Sequence, residues 1–187
     1  MDNRTCKQSS GALLILASMA CTAAAHAAED SFALGGVYGY GNHTRIYGVQ
    51  AVWAPQKENE MLAPRDLGLR LTMQIARWVA SANETQYRSL TDASLMGELR
   101  YWLPAEMPAR TFIEGGFGVH LLSHATIADR YLGTAFNFGT QVAVGMTFGD
   151  RGRYELAALI HHVSNGGISD TNYGLTYGGI RLRIALQ

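Results

Sequence analysis

Cysteine is nearly missing from this sequence of 187 residues, and its two copies, Cys6 and Cys21, both lie near the N-terminus. The rest of the chain therefore offers no disulfide, no thiol nucleophile and no cysteine ligand for a metal. An excess of charge of one sign is also missing, because 15 basic residues balance 15 acidic ones. This balance removes the electrostatic basis for binding nucleic acid, and no nucleic-acid partner is expected.

Motifs that identify common enzymes are missing as well. The chain has no Gly-x-Ser-x-Gly elbow, phosphate-binding loop, Rossmann glycine fingerprint or His-Glu-x-x-His zinc helix. His120 and His124 lie where a strand is expected to pass into a loop, and His161 has no third ligand at a recognisable spacing. We therefore expect neither a metal nor an organic cofactor.

Long apolar runs are confined to the N-terminal segment, so no membrane-spanning helix is expected beyond it. In that segment Arg4 and Lys7 precede an apolar run at 12–17 and a small-residue site at 25–27. This order is typical of a secretory signal peptide, and we predict that residues 1–27 are the signal.

The remaining residues, 28–187, are predicted to form one domain, because their number suits a single domain of ordinary size. A lipoprotein signal that ends at Cys21 is the alternative to the predicted cleavage. However, the segment 18–20 lacks the leucine that usually stands three positions before such a cysteine.

Strict alternation of apolar residues with polar or small ones runs over Leu67–Ile75 and again over Gly179–Leu186, where Arg181 and Arg183 share the polar face. A period of two predicts strands. Six further strands are predicted at Phe32–Tyr40, Thr44–Ala54, Leu95–Leu103, Thr111–Leu121, Ala135–Phe148 and Arg153–Val163.

Two folds share this alternation, a soluble sandwich with its apolar faces buried and a membrane barrel with its apolar faces in lipid. The even strand number, strands of about nine residues or more and charged residues in mid-strand favour the barrel. We therefore predict an all-β, eight-stranded antiparallel transmembrane β-barrel in the bacterial outer membrane. A periplasmic N-terminus would place Pro104–Arg110 and Gly149–Gly152 in periplasmic turns and Ser164–Gly174 in the last extracellular loop.

The candidate for chemistry lies where the seventh predicted strand enters that last loop. His162 and Ser164 share the parity of the apolar, lipid-facing row, and two residues along a strand are separated by about 6.5 Å. A histidine base at that separation can activate a serine hydroxyl. The amide of Asn165 and the backbone N–H groups of Gly166 and Gly167 are candidate donors to an oxyanion.

A histidine and a serine at a strand end also serve as a polar rim at headgroup level, which is the plain structural interpretation. The lipid-facing position is unusual for such a pair unless its substrate is a lipid. His161, with the opposite parity, is expected to join a polar network in the lumen.

The pattern His162-Val163-Ser164-Asn165-Gly166, followed by Asn172-Tyr173-Gly174, resembles the PagL family of outer-membrane lipid A 3-O-deacylases. A weaker likeness extends over nearly all of the predicted mature chain. The resemblance implies an eight-stranded barrel that hydrolyses the ester-linked acyl chain at the 3-position of lipid A. It further implies His162 as the base, Ser164 as the nucleophile and Asn165 on the oxyanion side.

One position departs from the family pattern. The acid of the family's triad lies a dozen positions after the serine, where this chain has Thr176. Asp170, Thr176 or a carboxylate from a neighbouring strand are the candidates to orient His162, while Glu155 has the wrong parity. The third catalytic role is therefore unassigned at this stage.

Two other functions stay open on the sequence. A non-enzymatic small barrel, structural or adhesive, would leave His162 and Ser164 replaceable. An acyltransferase barrel would use the same nucleophile but pass the acyl chain to another lipid when water is excluded. The sequence also leaves open whether the chain forms a homodimer.

Overall fold

The computed structural model describes residues 31–81, 87–104 and 109–186, without the side chains of residues 57 and 58, so the predicted signal peptide lies outside the described residues. Its eight long strands are β1 (Ser31–Gly41), β2 (Thr44–Ala54), β3 (Leu67–Ala80), β4 (Ser89–Trp102), β5 (Arg110–Leu122), β8 (Phe136–Phe148), β9 (Tyr154–Ser164) and β10 (Leu175–Leu186), and a small separate hairpin consists of β6 (Thr126–Ile127) and β7 (Arg130–Tyr131). The long strands close into an antiparallel barrel in the order β1-β10-β9-β8-β5-β4-β3-β2. The predicted fold class is confirmed.

The connections of the barrel include short helices that the strand pattern did not predict. Helix α1 (Gln56–Leu62) and a 3-10 turn at Ala63–Arg65 link β2 to β3, and a second 3-10 turn at Asp150–Gly152 precedes β9. None of the helices in the described part of the chain is long and apolar enough to cross a membrane. The turn between β1 and β2 is only two residues, Asn42 and His43, and both have positive φ. This conformation suits the right-handed twist of a two-residue hairpin.

The two faces of the strands are arranged as a membrane barrel requires. Large apolar side chains point outward, and Val49, Val142 and Ile160 are each more than 60% exposed. By contrast, Arg100 and Glu114 in mid-strand are 0% exposed inside the barrel. A soluble sandwich would bury the first set and solvate the second, so that alternative is wrong.

Charged side chains fill the middle of the lumen. Glu155 lies within 2.9 to 3.6 Å of four arginines, and Glu114 accepts hydrogen bonds from Arg100 and Arg181. We call this group the lumen ion cluster, and its members are Arg70, Glu98, Arg100, Glu114, Glu155, Arg181 and Arg183. Four arginines against three glutamates leave a formal charge of +1. Buried charges are tolerated only when they are paired in this way.

A second polar group lies in the lumen near the end of the barrel at which β9 ends. The Asp92 carboxylate contacts His120 Nδ1 at 2.9 Å, and His120 Nε2 lies 3.2 Å from His161 Nε2. His161 is also stacked against Tyr177, with ring centroids 5.1 Å apart. The predicted lumen network around His161 is therefore present, and it lies directly behind the strand that carries His162.

Candidate active site

His162 and Ser164 occupy the last outward positions of β9. The burial pattern alternates along this end of the strand, so that His161 and Val163 are buried, His162 is exposed and Ser164 is partly exposed. The structure thus places the imidazole and the hydroxyl on the outer surface, as alternation predicts. Their Cα atoms are separated by about 6.5 Å, the spacing of alternate residues in a strand. Such a pair is within reach of side-chain rotation, and catalytic hydrogen bonds often tighten only when substrate is bound.

Thr176 is the direct neighbour of His162 on the adjacent strand. The two residues are register partners between β9 and β10, and the distance from His162 Nδ1 to Thr176 Oγ1 is 2.7 Å. The backbone N–H of Thr176 donates to Asn42 Oδ1 at 2.8 Å, so the β1–β2 turn fixes this part of β10. The threonine that stands in the position of the family's acid therefore has the geometry to orient the histidine.

The other candidates for orienting His162 lie elsewhere. Glu155 is in the lumen, as its parity predicts, where it belongs to the lumen ion cluster. Asp170 is exposed in the loop between β9 and β10, and among the described residues it has no hydrogen bond or ion pair with His162. Of the named candidates, only Thr176 contacts the imidazole.

Asn165 follows Ser164 and is 0% exposed. Its side-chain N–H groups donate to the carbonyl of Leu132 at 3.0 Å and to that of Thr171 at 2.8 Å, while its Oδ1 accepts from the N–H of Gly167 at 2.8 Å. Its backbone N–H donates to Asn172 Oδ1 at 3.1 Å. The amide predicted to face an oxyanion is thus engaged in holding the loop after β9 against the loop before β8.

The two glycines after Asn165 both have left-handed backbone conformations, with φ of 64° at Gly166 and 86° at Gly167. The Gly167 N–H is bonded to Asn165, whereas the Gly166 N–H has no hydrogen-bond partner among the described residues. Gly166 also packs against the ring of Phe138, whose strand position pairs with Ser164. Gly166 is therefore the donor of this turn that remains available to a ligand beside Ser164.

Gly174 packs against the imidazole of His162, a contact that the sequence pattern did not predict. A Cβ on Gly174 would lie 2.9 Å from His162 Cε1 and 3.3 Å from His162 Nε2. Its φ of 55° is also left-handed, and its carbonyl accepts from Arg130 Nη1 at 3.1 Å. The sequence did indicate that this segment matters, because Asn172-Tyr173-Gly174 is part of the pattern that resembles the family. The spacing alone did not reveal its contact with His162.

The described residues contain no group of three or more histidine, cysteine, aspartate or glutamate side chains able to hold a metal ion.

The described chain is thus a small outer-membrane-type β-barrel with a serine and histidine pair on its lipid-facing surface. The family model for lipid A 3-O-deacylase (PagL) matches residues 46–185. The chain belongs to the PagL family.

Known proteins agree with this assignment. The lipid A deacylase PagL of Bordetella bronchiseptica is 28% identical over 167 residues, which cover 87% of each chain. The crystal structure of the outer membrane enzyme PagL superposes with a TM-score of 0.65 at 18% identity, covering 81% of this chain and 98% of that one. Neisserial surface protein A gives a TM-score of 0.50 at 9% identity, covering 83% and 94%. The two structural matches show the barrel fold. Membership of the PagL family together with this fold places the protein in the outer membrane.

Proposed function

We propose that this protein is a lipid A 3-O-deacylase in which Ser164 is the nucleophile, His162 the general base and Thr176 the residue that orients His162. The observation that carries the proposal is the contact of His162 Nδ1 with Thr176 Oγ1 on the lipid-facing surface, beside Ser164. An Nδ1–H that donates to Thr176 leaves the Nε2 lone pair for the serine hydroxyl. Family membership supplies the substrate class.

In the first half of the reaction, Ser164 Oγ attacks the carbonyl carbon of the ester, and its proton passes to His162 Nε2. The Gly166 N–H is the donor we assign to the oxyanion that develops. Collapse of the tetrahedral intermediate breaks the bond between the acyl carbon and the sugar oxygen. His162 returns its proton to that oxygen, which leaves the acyl chain on Ser164.

In the second half, a water molecule gives its proton to His162 and attacks the acyl-serine. The acyl chain leaves as a fatty acid, and Ser164 recovers its proton. We assign Asn165 the task of holding the loop at Ser164 in place, through its bonds to Leu132 and Thr171. All of these groups belong to one chain.

The proposal is tested by mass spectrometry of lipid A from cells that produce the protein in their outer membrane. We expect the loss of one ester-linked acyl chain from the 3-position and the release of that chain as a free fatty acid. Transfer of the chain to another lipid would instead identify an acyltransferase. Unchanged lipid A, with the barrel shown to be inserted by its heat-modifiable gel mobility, would contradict the proposal in favour of a non-enzymatic barrel.

Replacing Thr176 with valine is expected to lower kcat about 10- to 100-fold and to leave KM nearly unchanged. The valine keeps the size of the side chain but removes the acceptor that fixes the tautomer and orientation of His162, and general-base catalysis contributes about 10²- to 10⁴-fold. Steady-state kinetics on micellar lipid A measures the effect. Thr176→Ser, which restores the hydroxyl, should recover most of the activity, and equal rates for valine and serine would exclude the orienting role.

Replacing Thr176 with glutamate is expected to act in the opposite direction and raise kcat about fivefold to tenfold. A carboxylate also stabilises the imidazolium that forms during the reaction, and charge-assisted hydrogen bonds are roughly twice as strong as neutral ones. The same kinetic assay measures the gain. A rate equal to or below that of the wild type, in a folded barrel, would show that a charge at this position does not assist His162.

Replacing Gly174 with alanine is expected to lower kcat about tenfold or more, because the new Cβ would press on the imidazole of His162 and a displacement of about 1 Å can cost 100-fold. Gly167→Ala is the matched control. It introduces the same left-handed strain in the same loop, but no atom lies within 4 Å of the added Cβ. Equal losses of activity in both variants would assign the effect to backbone strain alone.

A further inference from the structure

A groove of about 690 Å³ crosses the outer surface of the barrel and begins on β9, the strand that also carries His162. It runs over β9, β10, β1, β2 and β3 to the edge of β4, and its walls are largely apolar. Representative lining residues are Gly36, Tyr38, Val49, Arg77, Leu156 and Ile180. We call it the Arg77 groove. Its volume is within the range of pockets that bind small molecules.

The groove exists because a glycine, which has no side chain to fill the space, stands in the outward row of β1. Gly36 faces outward between Leu34 and Tyr38, and a Cβ built on it would find only the carbonyl of Gly48 within 4 Å, at 3.6 Å. The space above Gly36 is therefore open rather than filled by neighbouring atoms. Tyr38 and Tyr47 border this space with ring centroids 5.4 Å apart. The result is a depression bordered by aromatic and apolar side chains.

Arg77 stands at one end of the groove and is exposed. Its Nη1 donates to Thr91 Oγ1 at 3.0 Å and its Nη2 donates to Ser89 Oγ, so these two hydrogen-bond partners are neutral hydroxyls. No carboxylate among the described residues forms an ion pair with it. An arginine on a lipid-facing surface is costly unless an anion lies nearby. The geometry therefore holds a cation in place through neutral hydroxyls, with no carboxylate of the described residues paired to it.

Arg77 lies near the same end of the barrel as His162, since it is three residues from the end of β3 and His162 is two residues from the end of β9. Around the barrel, however, β3 is the fourth strand after β9 in the order β9-β10-β1-β2-β3. Four strands are half of the circumference. One lipid headgroup cannot contact Arg77 and the hydroxyl of Ser164 together.

We propose that the Arg77 groove binds a second molecule of lipid A that is not being hydrolysed, with a phosphate group on Arg77 and an acyl chain along the apolar wall. Arginine recognises phosphate through charge-assisted hydrogen bonds. This inference goes beyond hydrolysis at Ser164. The choice of lipid A over other phosphate-bearing lipids rests on the proposed function, because Arg77 lies at the same end of the barrel as Ser164 and so in the same leaflet.

The test counts bound lipids by native mass spectrometry on the Ser164→Ala protein, which keeps the lipid intact. With lipid A that carries its phosphates, we expect two bound molecules when Arg77 is present. Arg77→Gln should weaken the second binding event about fivefold, the equivalent of about 1 kcal/mol for one basic residue at a membrane surface. Arg77→Lys should retain it. Arg153→Gln, at an exposed arginine of the opposite barrel end, is the matched control and should also retain it.

A second variant separates the groove from the charge. Gly36→Leu fills the open space while Arg77 stays in place, and it should abolish the second binding event. Equal second binding by Arg77→Gln and Arg153→Gln would overturn the proposal. Equal occupancy of the groove by phosphate-free lipid A would also overturn the proposal. If phosphatidylglycerol displaced the second lipid equally well, the choice of lipid A as the ligand would be wrong.

The same variants separate this proposal from the proposed hydrolysis. With Ser164 present, Arg77→Gln should keep the kcat of the wild type, because Arg77 lies four strands from Ser164 around the barrel. A wild type without deacylase activity would contradict the proposed function alone, since the count of bound lipids is made on the Ser164→Ala protein. If Arg77→Gln weakened binding of the second lipid in the Ser164→Ala protein and left the activity unchanged with Ser164 present, the result would support the proposed binding site in the groove.

Discussion

Replacing Ser164 with alanine is expected to lower the rate of deacylation by about 10⁴-fold or more, because removal of the nucleophile in a serine hydrolase leaves only the residual rate given by binding and oxyanion stabilisation. The reaction needs an oxygen at this position to form the acyl intermediate, and the alanine side chain has none. His162→Ala should cause a loss of similar size, and the double variant should lose little more, since the two residues act as one unit. Release of fatty acid from purified lipid A measures all three rates.

Ser169→Ala is the matched control for this experiment. It removes a hydroxyl from the same loop between β9 and β10, and it should keep the activity of the wild type. Heat-modifiable gel mobility confirms that each variant is a folded barrel. Substantial deacylation by a folded Ser164→Ala protein would exclude Ser164 as the nucleophile and would require another group to attack the ester.

Replacing Glu155 with glutamine is expected to lower the free energy of unfolding by about 3 to 5 kcal/mol, the cost of leaving a buried charge without its partner. Glu155 lies against Arg70, Arg100, Arg181 and Arg183. Glutamine preserves the shape of the side chain but raises the formal charge of the lumen ion cluster from +1 to +2. Unfolding in urea, followed by gel mobility and by tryptophan fluorescence, measures the loss.

Glu60→Gln provides the control for the change of chemistry alone. Glu60 is exposed on helix α1, where its carboxylate accepts a hydrogen bond from Gln56 at 2.8 Å. Its replacement should change the free energy of unfolding by less than about 0.5 kcal/mol, as is usual at the surface. If the two variants were equally stable, the pairing inside the lumen would not contribute to holding the barrel closed.

The strands could be predicted where the contrast between their faces is strong. Thr44–Ala54 was predicted with the bounds that the structure shows for β2. The fourth strand was predicted from Leu95 but begins at Ser89. Its first part was missed because the outward row there consists of Ser89, Thr91 and Ala93, which are not large apolar residues. Small and polar residues on the lipid side hide the alternation, as they also do at Thr176 and Gly178 at the start of β10. Helix α1 has no period of two and was not predicted.

The candidate site could be predicted only in part, because its residues meet through the register of the barrel. The parity of β9 was enough to place His162 and Ser164 outward and His161 and Glu155 inward. The pairing of Thr176 with His162 depends on the length of the loop between β9 and β10, and the bond from Thr176 to Asn42 joins residues 134 positions apart. Such contacts follow from closure of the whole barrel, and no local pattern carries them.

The outward position of His162 and Ser164 on β9 has a consequence for how the proposed enzyme meets its substrate. Lipid A would reach the serine sideways, by diffusion within the leaflet, and the ion-filled lumen would take no part in its arrival. Substrate supply is then a two-dimensional quantity, set by the mole fraction of lipid A in the membrane or micelle. Diluting the sample with buffer should leave the rate per enzyme unchanged, whereas diluting the surface with inert detergent should lower it.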